Sequence, residues 1–253
     1  MHARSLFLNV LRYVASLLVL LAIWHGLVVI FEIKPFLLPP PIKVFQTLVS
    51  ELHVFAPAAR FTFRNMCAGG SIGVGLGLVA GFVLAYSVAA RWIGEPYLVI
   101  FQSFPRESLL PLMVVWLGFG PESKIANSAL LSFFPTAVIV LQSLTDTRRE
   151  YVQLVESFGA SRLEQFLHCR LPNAIPAILG ALKVGLPLSL IGAVLGEFIG
   201  GSEGLGYIIL TAGATFRVER VFGAVVILAV IGTMLLSMIA LLERTVCRRF
   251  FQS

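Results

Sequence analysis

Four charged side chains interrupt stretches of sequence that are otherwise apolar: Arg106, Glu107, Lys183 and Glu197. Each is expensive inside a bilayer unless paired or wetted, so such residues are candidates for contact with a solute on a translocation path. The chemistry they offer is electrostatic. For covalent chemistry the chain has no His, Cys and Asp cluster on facing segments, and no catalytic residue is assigned. Cys67, Cys169 and Cys247 are an odd set without disulfide or metal spacing, so no metal site is expected. A phosphate-cradling loop needs Gly-Lys followed by Ser or Thr. None of Lys34, Lys43, Lys124 and Lys183 follows a glycine, so the chain is expected to bind no ATP by that route.

The local sequence qualifies each charged candidate. Arg106 and Glu107 follow Pro105, which can break a helix and free carbonyls toward a cavity. Lys183 and Glu197 are too far apart to pair on one straight helix, at about 1.5 Å of rise per residue. Arg106 and Lys183 have an ordinary alternative role, snorkelling to the interface or contacting backbone carbonyls. Glu197 precedes Gly200-Gly201-Ser202-Glu203-Gly204-Leu205-Gly206, a glycine-rich break. With Glu203, it is expected either to line the exit of a path or meet an external protein, or to belong to a structural re-entrant turn. His25, alone in the first apolar run, reads as a helix-packing residue.

The elements that position these groups are membrane spans. The chain is 58% hydrophobic and 13% charged, with a mean hydropathy of +0.91, outside the soluble range of about a quarter charged. Its net charge of +6 is scattered around apolar runs and forms no nucleic-acid stripe. A span takes about 20 apolar residues. On that measure the sequence predicts an all-α membrane protein, a single transmembrane domain over 1–253, with six helices at 13–31, 66–90, 97–117, 125–144, 175–197 and 221–242. With the amino terminus inside, ten basic residues lie on the cytoplasmic side and seven, Lys124 among them, on the other. The positive-inside rule then puts both termini in the cytoplasm. Between the first two spans, the amphipathic run after Pro39-Pro40-Pro41 is expected along the outer interface. Gly69, Gly73, Gly77 and Gly81 form a small-residue ladder for close packing of another helix.

One segment is too polar to be embedded. Thr145 to Arg170 holds eight of the 32 charged residues, and its four arginines are matched by Asp146, Glu150, Glu156 and Glu164. That balance argues against a patch for anionic lipid and for a protein partner. Ser161-Arg162-Leu163-Glu164 fits a capping box and Gly159 a helix end of positive φ. Two short helices are therefore expected to meet at Gly159. Leu154, Val155 and Phe158 form an apolar face on the first, and Leu163, Phe166 and Leu167 one on the second. An amphipathic connector resting on the membrane surface is the alternative.

The loop resembles the EAA loop of ABC importer permeases, whose pattern is Glu-Ala-Ala, three residues, Gly, nine residues, Ile, one residue, Leu-Pro. Here Gln153, Leu154 and Val155 stand for Glu-Ala-Ala, and Cys169 for the isoleucine; Gly159, Leu171 and Pro172 are kept. The segments LLPPPIKVFQTL, QSFPRESLLPLMVVWLGFGPESKI, FFP and GAVLGEFIGGSEGLGYII are similar to the nitrate, sulfonate and taurine branch, and together they cover most of the chain beyond Phe36. GAVLGEF and GLGY are also similar to permeases for pyrimidine or riboflavin-type vitamin precursors.

The resemblance implies a bacterial inner-membrane subunit working with a second permease copy, two ATPase subunits that carry ATP and Mg, and an external solute-binding protein. It implies that residues 145–172 are the ATPase-coupling loop, with Gln153, Leu154, Val155, Phe158, Gly159, Ala160, Ser161, Leu171 and Pro172 as its site. The competing class is an ion-gradient-driven secondary transporter or channel. That class is expected to show paired broken helices in two related halves and buried carboxylates for coupling, and the sequence displays neither.

Overall fold

Proline and glycine set most of the helix boundaries. In the computed structural model, which describes residues 2–146 and 149–251, the chain forms α1 (His2–Ile30), α2 (Pro41–Ser50), α3 (Leu52–Tyr86) and α4 (Val88–Ser103). A 3-10 turn, Arg106–Leu109, leads into α5 (Leu110–Leu117). Then follow α6 (Pro121–Thr145), α7 (Arg149–Ser157), α8 (Arg162–Gln165), a π turn Phe166–Arg170, α9 (Leu171–Gly200), α10 (Leu205–Ala214) and α11 (Val218–Phe251). The first turns of α2, α5, α6 and α9 carry proline, whose missing N–H has no intrahelical partner to lose there. Thr147 and Arg148, part of the expected loop, lie outside the described residues.

Among the described residues the structure is all-helical, and four helices are long and apolar enough to cross a membrane: α3, α6, the run Arg162–Gly200 and α11. A fifth is counted if Val88–Ser103 and Arg106–Leu117 form one broken span, the two being bent by 87°. The third predicted segment, 97–117, is thus no straight helix. Pro105 lies at the corner, with no N–H to continue α4. The second predicted segment is displaced as well. Its helix begins at Leu52 and stops at Tyr86, and Ser87 caps the next helix by accepting from Ala90 N–H at 3.2 Å.

The core is built on small residues. α6 lies between α3 and α9. A Cβ added at Gly69, Gly73, Gly77 or Gly81 of α3 would fall 2.2 to 2.8 Å from atoms of α6, such as the Ser128 Cβ and the Ala129 carbonyl. On the other flank, a Cβ at Gly192 of α9 would meet Ser128 Cα at 2.7 Å. Ser128, Ser132 and Thr136, four residues apart on α6, are fully buried. Ser132 and Thr136 return their hydroxyl protons to carbonyls one turn earlier, and the Ser128 hydroxyl donates to Ser189 O of α9 at 2.8 Å. Lipid tails are as apolar as leucine, so close contact of this kind and interhelical hydrogen bonds must hold the bundle.

Two apolar clusters close the ends of α3: Ala85 with Val140, Leu144 and Ala181, and Phe55 with Leu205, Ile208 and Ala224. At the second end, Glu51 pairs with Arg217 and Arg220, joining the α2–α3 corner to the turn before α11.

Candidate functional site

The polar loop is a self-contained unit. α7 ends in a Schellman turn: Gly159 has φ +79°, its N–H donates to Glu156 O at 2.9 Å, and Ala160 N–H donates to Val155 O at 3.3 Å. A Cβ on Gly159 would meet nothing within 4 Å. The glycine is therefore there for its backbone and not for close approach. Two residues later Ser161 opens α8 with a full capping box. Glu164 N–H donates to the Ser161 hydroxyl oxygen at 3.3 Å, and Ser161 N–H donates to the Glu164 carboxylate at 2.8 Å. The Ser161 hydroxyl, and after it the Ser161 N–H, holds the exposed Glu164 carboxyl below its ordinary range. Gln165 Nε2 closes the corner by donating to Ala160 O at 3.0 Å.

With its turn and cap hydrogen bonds closed internally, the loop presents apolar side chains outward. Leu154 and Leu163 are more than half exposed and Phe158 is 82% exposed, while Gln153 and Ser161 are also exposed. The expected apolar faces are divided in use. Phe166 turns back onto α3, edge-on to Phe82 and Tyr86 with ring centroids 6.4 and 5.5 Å away, and anchors the loop to the bundle. Leu171 N–H donates to Phe166 O across the π turn, and Pro172, with no N–H to offer, follows at once. The polar segment thus runs into α9 without a break.

The far end of α9 is organised in the opposite way. Glu197 is completely buried. Its Oε2 accepts from Gly206 N–H at 2.8 Å and lies 3.0 Å from the Thr62 hydroxyl of α3, while that hydroxyl oxygen accepts from Leu205 N–H at 2.9 Å. A carboxylate and a hydroxyl from two other helices thereby cap the N-terminus of α10, where the helix dipole favours an acidic group. Gly204, at φ +104°, leaves room for this: a Cβ there would lie 2.2 Å from the Glu197 carboxyl carbon. Lys124, only 1% exposed, supplies the complementary cap. Its Nζ donates to Gly200 O at the C-terminus of α9 and to Phe119 O, each at 2.6 Å. The glycine-rich segment therefore hides a short helix, α10, where the sequence suggested only a break, and Lys124 is a buried clasp where the sequence counted it among the outer charges. Thr62 and Lys124 carried no local signal, because the helix ends they cap, at Leu205 and Gly200, lie more than seventy residues away in sequence.

The remaining charged candidates are dispersed. Arg106 is half-buried in the turn between α4 and α5, with a buried Nη1 that has no hydrogen-bond partner, and Glu107 beside it is exposed. Lys183 forms an ion pair with Glu243 of α11, a partner with no signal in the local sequence. Glu203 is exposed. Among the described residues no group of three or more His, Cys, Asp or Glu could hold a metal ion.

The family model described as "Binding-protein-dependent transport system inner membrane component" matches residues 73–248. The formylaminopyrimidine transport permease protein of Halalkalibacterium halodurans is 32% identical, over 86% of this chain and 90% of its own length. The taurine transport system permease protein of Escherichia coli is 29% identical, over 88% and 83%. In three dimensions the chain is similar to a subunit in the crystal structure of an amino acid ABC transporter with histidines, at a TM-score of 0.67 and 19% identity, covering 79% of this chain and 98% of the other.

Proposed function

This chain belongs to the family of binding-protein-dependent transport system inner membrane components, and from that premise we propose that residues 145–172 form the element through which a separate ATPase drives it. It is a multi-pass inner-membrane transport subunit and not an enzyme. In the proposed reading it is one permease domain of six spans, α1 and the bent α4–α5 pair completing the set, with both termini and the polar loop in the cytoplasm. Two copies enclose the path. Two ATPase subunits bind ATP and Mg and seat the loop in a surface groove, and an external solute-binding protein delivers the cargo.

The observation that carries this reading is Phe158. It is a large apolar side chain, 82% exposed, held on a doubly capped turn in a segment too charged for the bilayer. Exposed aromatics on rigid supports are the usual anchors of protein interfaces. Gln153, Leu154, Val155, Gly159, Ala160, Ser161, Leu171 and Pro172 shape and place it. Closure of the ATPase pair moves the paired loops and opens the cavity between permeases; hydrolysis and release reset it.

The cargo is a small solute, a sulfonate, taurine or nitrate-like anion or a pyrimidine or riboflavin-type vitamin precursor, as the similarity to taurine and formylaminopyrimidine permeases suggests. Arg106, with Glu107 beside it at the α4–α5 corner, is the side chain best placed to meet it, because its Nη1 is unpaired. Lys183, Glu197 and Glu203 complete the proposed path residues. Lys183 and Glu197 act through their partners Glu243 and Thr62, and Glu203 acts at the external face. The test is uptake into vesicles containing the reconstituted subunits. Uptake that requires both internal ATP and the ATPase supports the reading, and uptake driven by an ion gradient without ATP overturns it.

A further inference from the structure

At the root of the polar loop lies a cavity of about 430 Å³ lined by Arg91, Arg162 and Arg170 together with Gln153, Gln165 and Tyr86. Among the residues whose side chains are described, no carboxylate lines it and none of the three arginines makes an ion pair. The charges of the polar segment balance in sequence, but among the side chains described they do not pair at this cavity. Glu164 is turned onto Ser161, Asp146 and Glu156 are exposed, and Arg91 is added from the start of α4.

Three guanidinium groups around one cavity repel one another unless an anion lies between them. Their planar forks suit a phosphate ester more closely than a point charge would. Two apolar grooves adjoin the cavity. One, lined by Val88, Ala89, Trp92 and Ile93, shares Tyr86 and Arg162 with it; the other, lined by Phe82, Val83 and Leu171, shares Tyr86 and Phe166. Trp92 is 85% exposed beside the first groove, as an aromatic at a membrane interface is.

A soluble anion would use the arginines and leave the grooves empty. We infer that the occupant is an anionic phospholipid, with its phosphate among Arg91, Arg162 and Arg170 and its acyl chains along the Trp92 and Phe82 grooves, so that lipid headgroup and polar loop are tied together. This goes beyond the docking role of the loop and rests only on the chain's membrane location.

The test is native mass spectrometry of the delipidated full-length chain in detergent, titrated separately with phosphatidylglycerol, phosphatidylcholine, diacylglycerol and inorganic phosphate. One phosphatidylglycerol per chain is expected to bind about tenfold more tightly than phosphatidylcholine or diacylglycerol, and millimolar phosphate is expected not to displace it. The combined change Arg91→Gln, Arg162→Gln and Arg170→Gln should abolish the preference, and Arg60→Gln with Arg64→Gln, elsewhere on α3, should keep it. Equal binding of the four lipid and anion probes, or a preference that survives the triple change, overturns the inference, as does displacement by phosphate, which would mark a site for soluble anions. If the triple variant does not fold, the comparison of phosphatidylglycerol with diacylglycerol on the wild-type chain and the single change Arg91→Gln decide the matter.

Discussion

At one end of α9 the chain leaves the bundle as a polar loop whose hydrogen bonds close on itself and whose apolar side chains Leu154, Phe158 and Leu163 face outward. At the other end a glycine-rich segment bearing Glu197 and Glu203 folds inward, so that Glu197, Thr62 and Lys124 are buried and cap helix ends belonging to other parts of the chain. Both interruptions look functional in the sequence. What separates them is the direction in which polar groups find partners. A segment satisfied locally can release its apolar side chains for another protein, whereas one satisfied by distant helices is committed to holding the bundle together.

Changes in the inner segment are expected to be the largest and to appear in stability. Glu197→Ala leaves the Gly206 N–H and the Thr62 hydroxyl with a lost acceptor, a loss of about 3 kcal/mol in all. It should appear as a markedly lower midpoint of thermal unfolding in detergent, while Glu197→Gln, which keeps an acceptor oxygen, should recover part of it. An unchanged midpoint for the alanine variant would remove Glu197 from the clasp. Gly204→Ala should cost about 2 kcal/mol, since the new Cβ meets the Glu197 carboxyl and the backbone sits at positive φ. The same unfolding measurement reads it.

The outer loop should respond differently. Phe158→Ser is expected to leave the unfolding midpoint in place and to weaken capture of the ATPase about tenfold. A stability loss instead would make Phe158 a packing residue and erase the contrast. The smallest effect is expected for the partly exposed Lys183–Glu243 pair. A double-mutant cycle with Lys183→Gln and Glu243→Gln should give a coupling below about 1 kcal/mol.

The sequence shows the outer loop better than the inner segment, for a physical reason. The Schellman glycine, the capping box and the apolar spacing of Leu154 and Phe158 all lie within a dozen residues, so local chemistry displays them. The ladder from Gly69 to Gly81 is legible on the same terms, because its period is that of one helix face. Glu197 stands out as an ion among apolar residues, but its use depends on Thr62, and the buried state of Lys124 depends on Gly200 O. These are tertiary contacts with no periodic trace. α10 is hidden for the same reason, since the caps that start it come from other helices. The pairing of Lys183 with Glu243, 60 residues away, is likewise invisible until α9 and α11 are packed together.

The coupling role of the polar loop is read most directly by co-purification of the ATPase with the tagged wild-type chain and with Gly159→Trp, detected by mass spectrometry and accompanied by the unfolding midpoint of each. A P-loop ATPase is expected to come down with the wild type and to be lost or strongly reduced with the variant. A variant that captures the ATPase as well as the wild type does, or a wild-type chain that purifies alone and transports in vesicles without ATP, would contradict it.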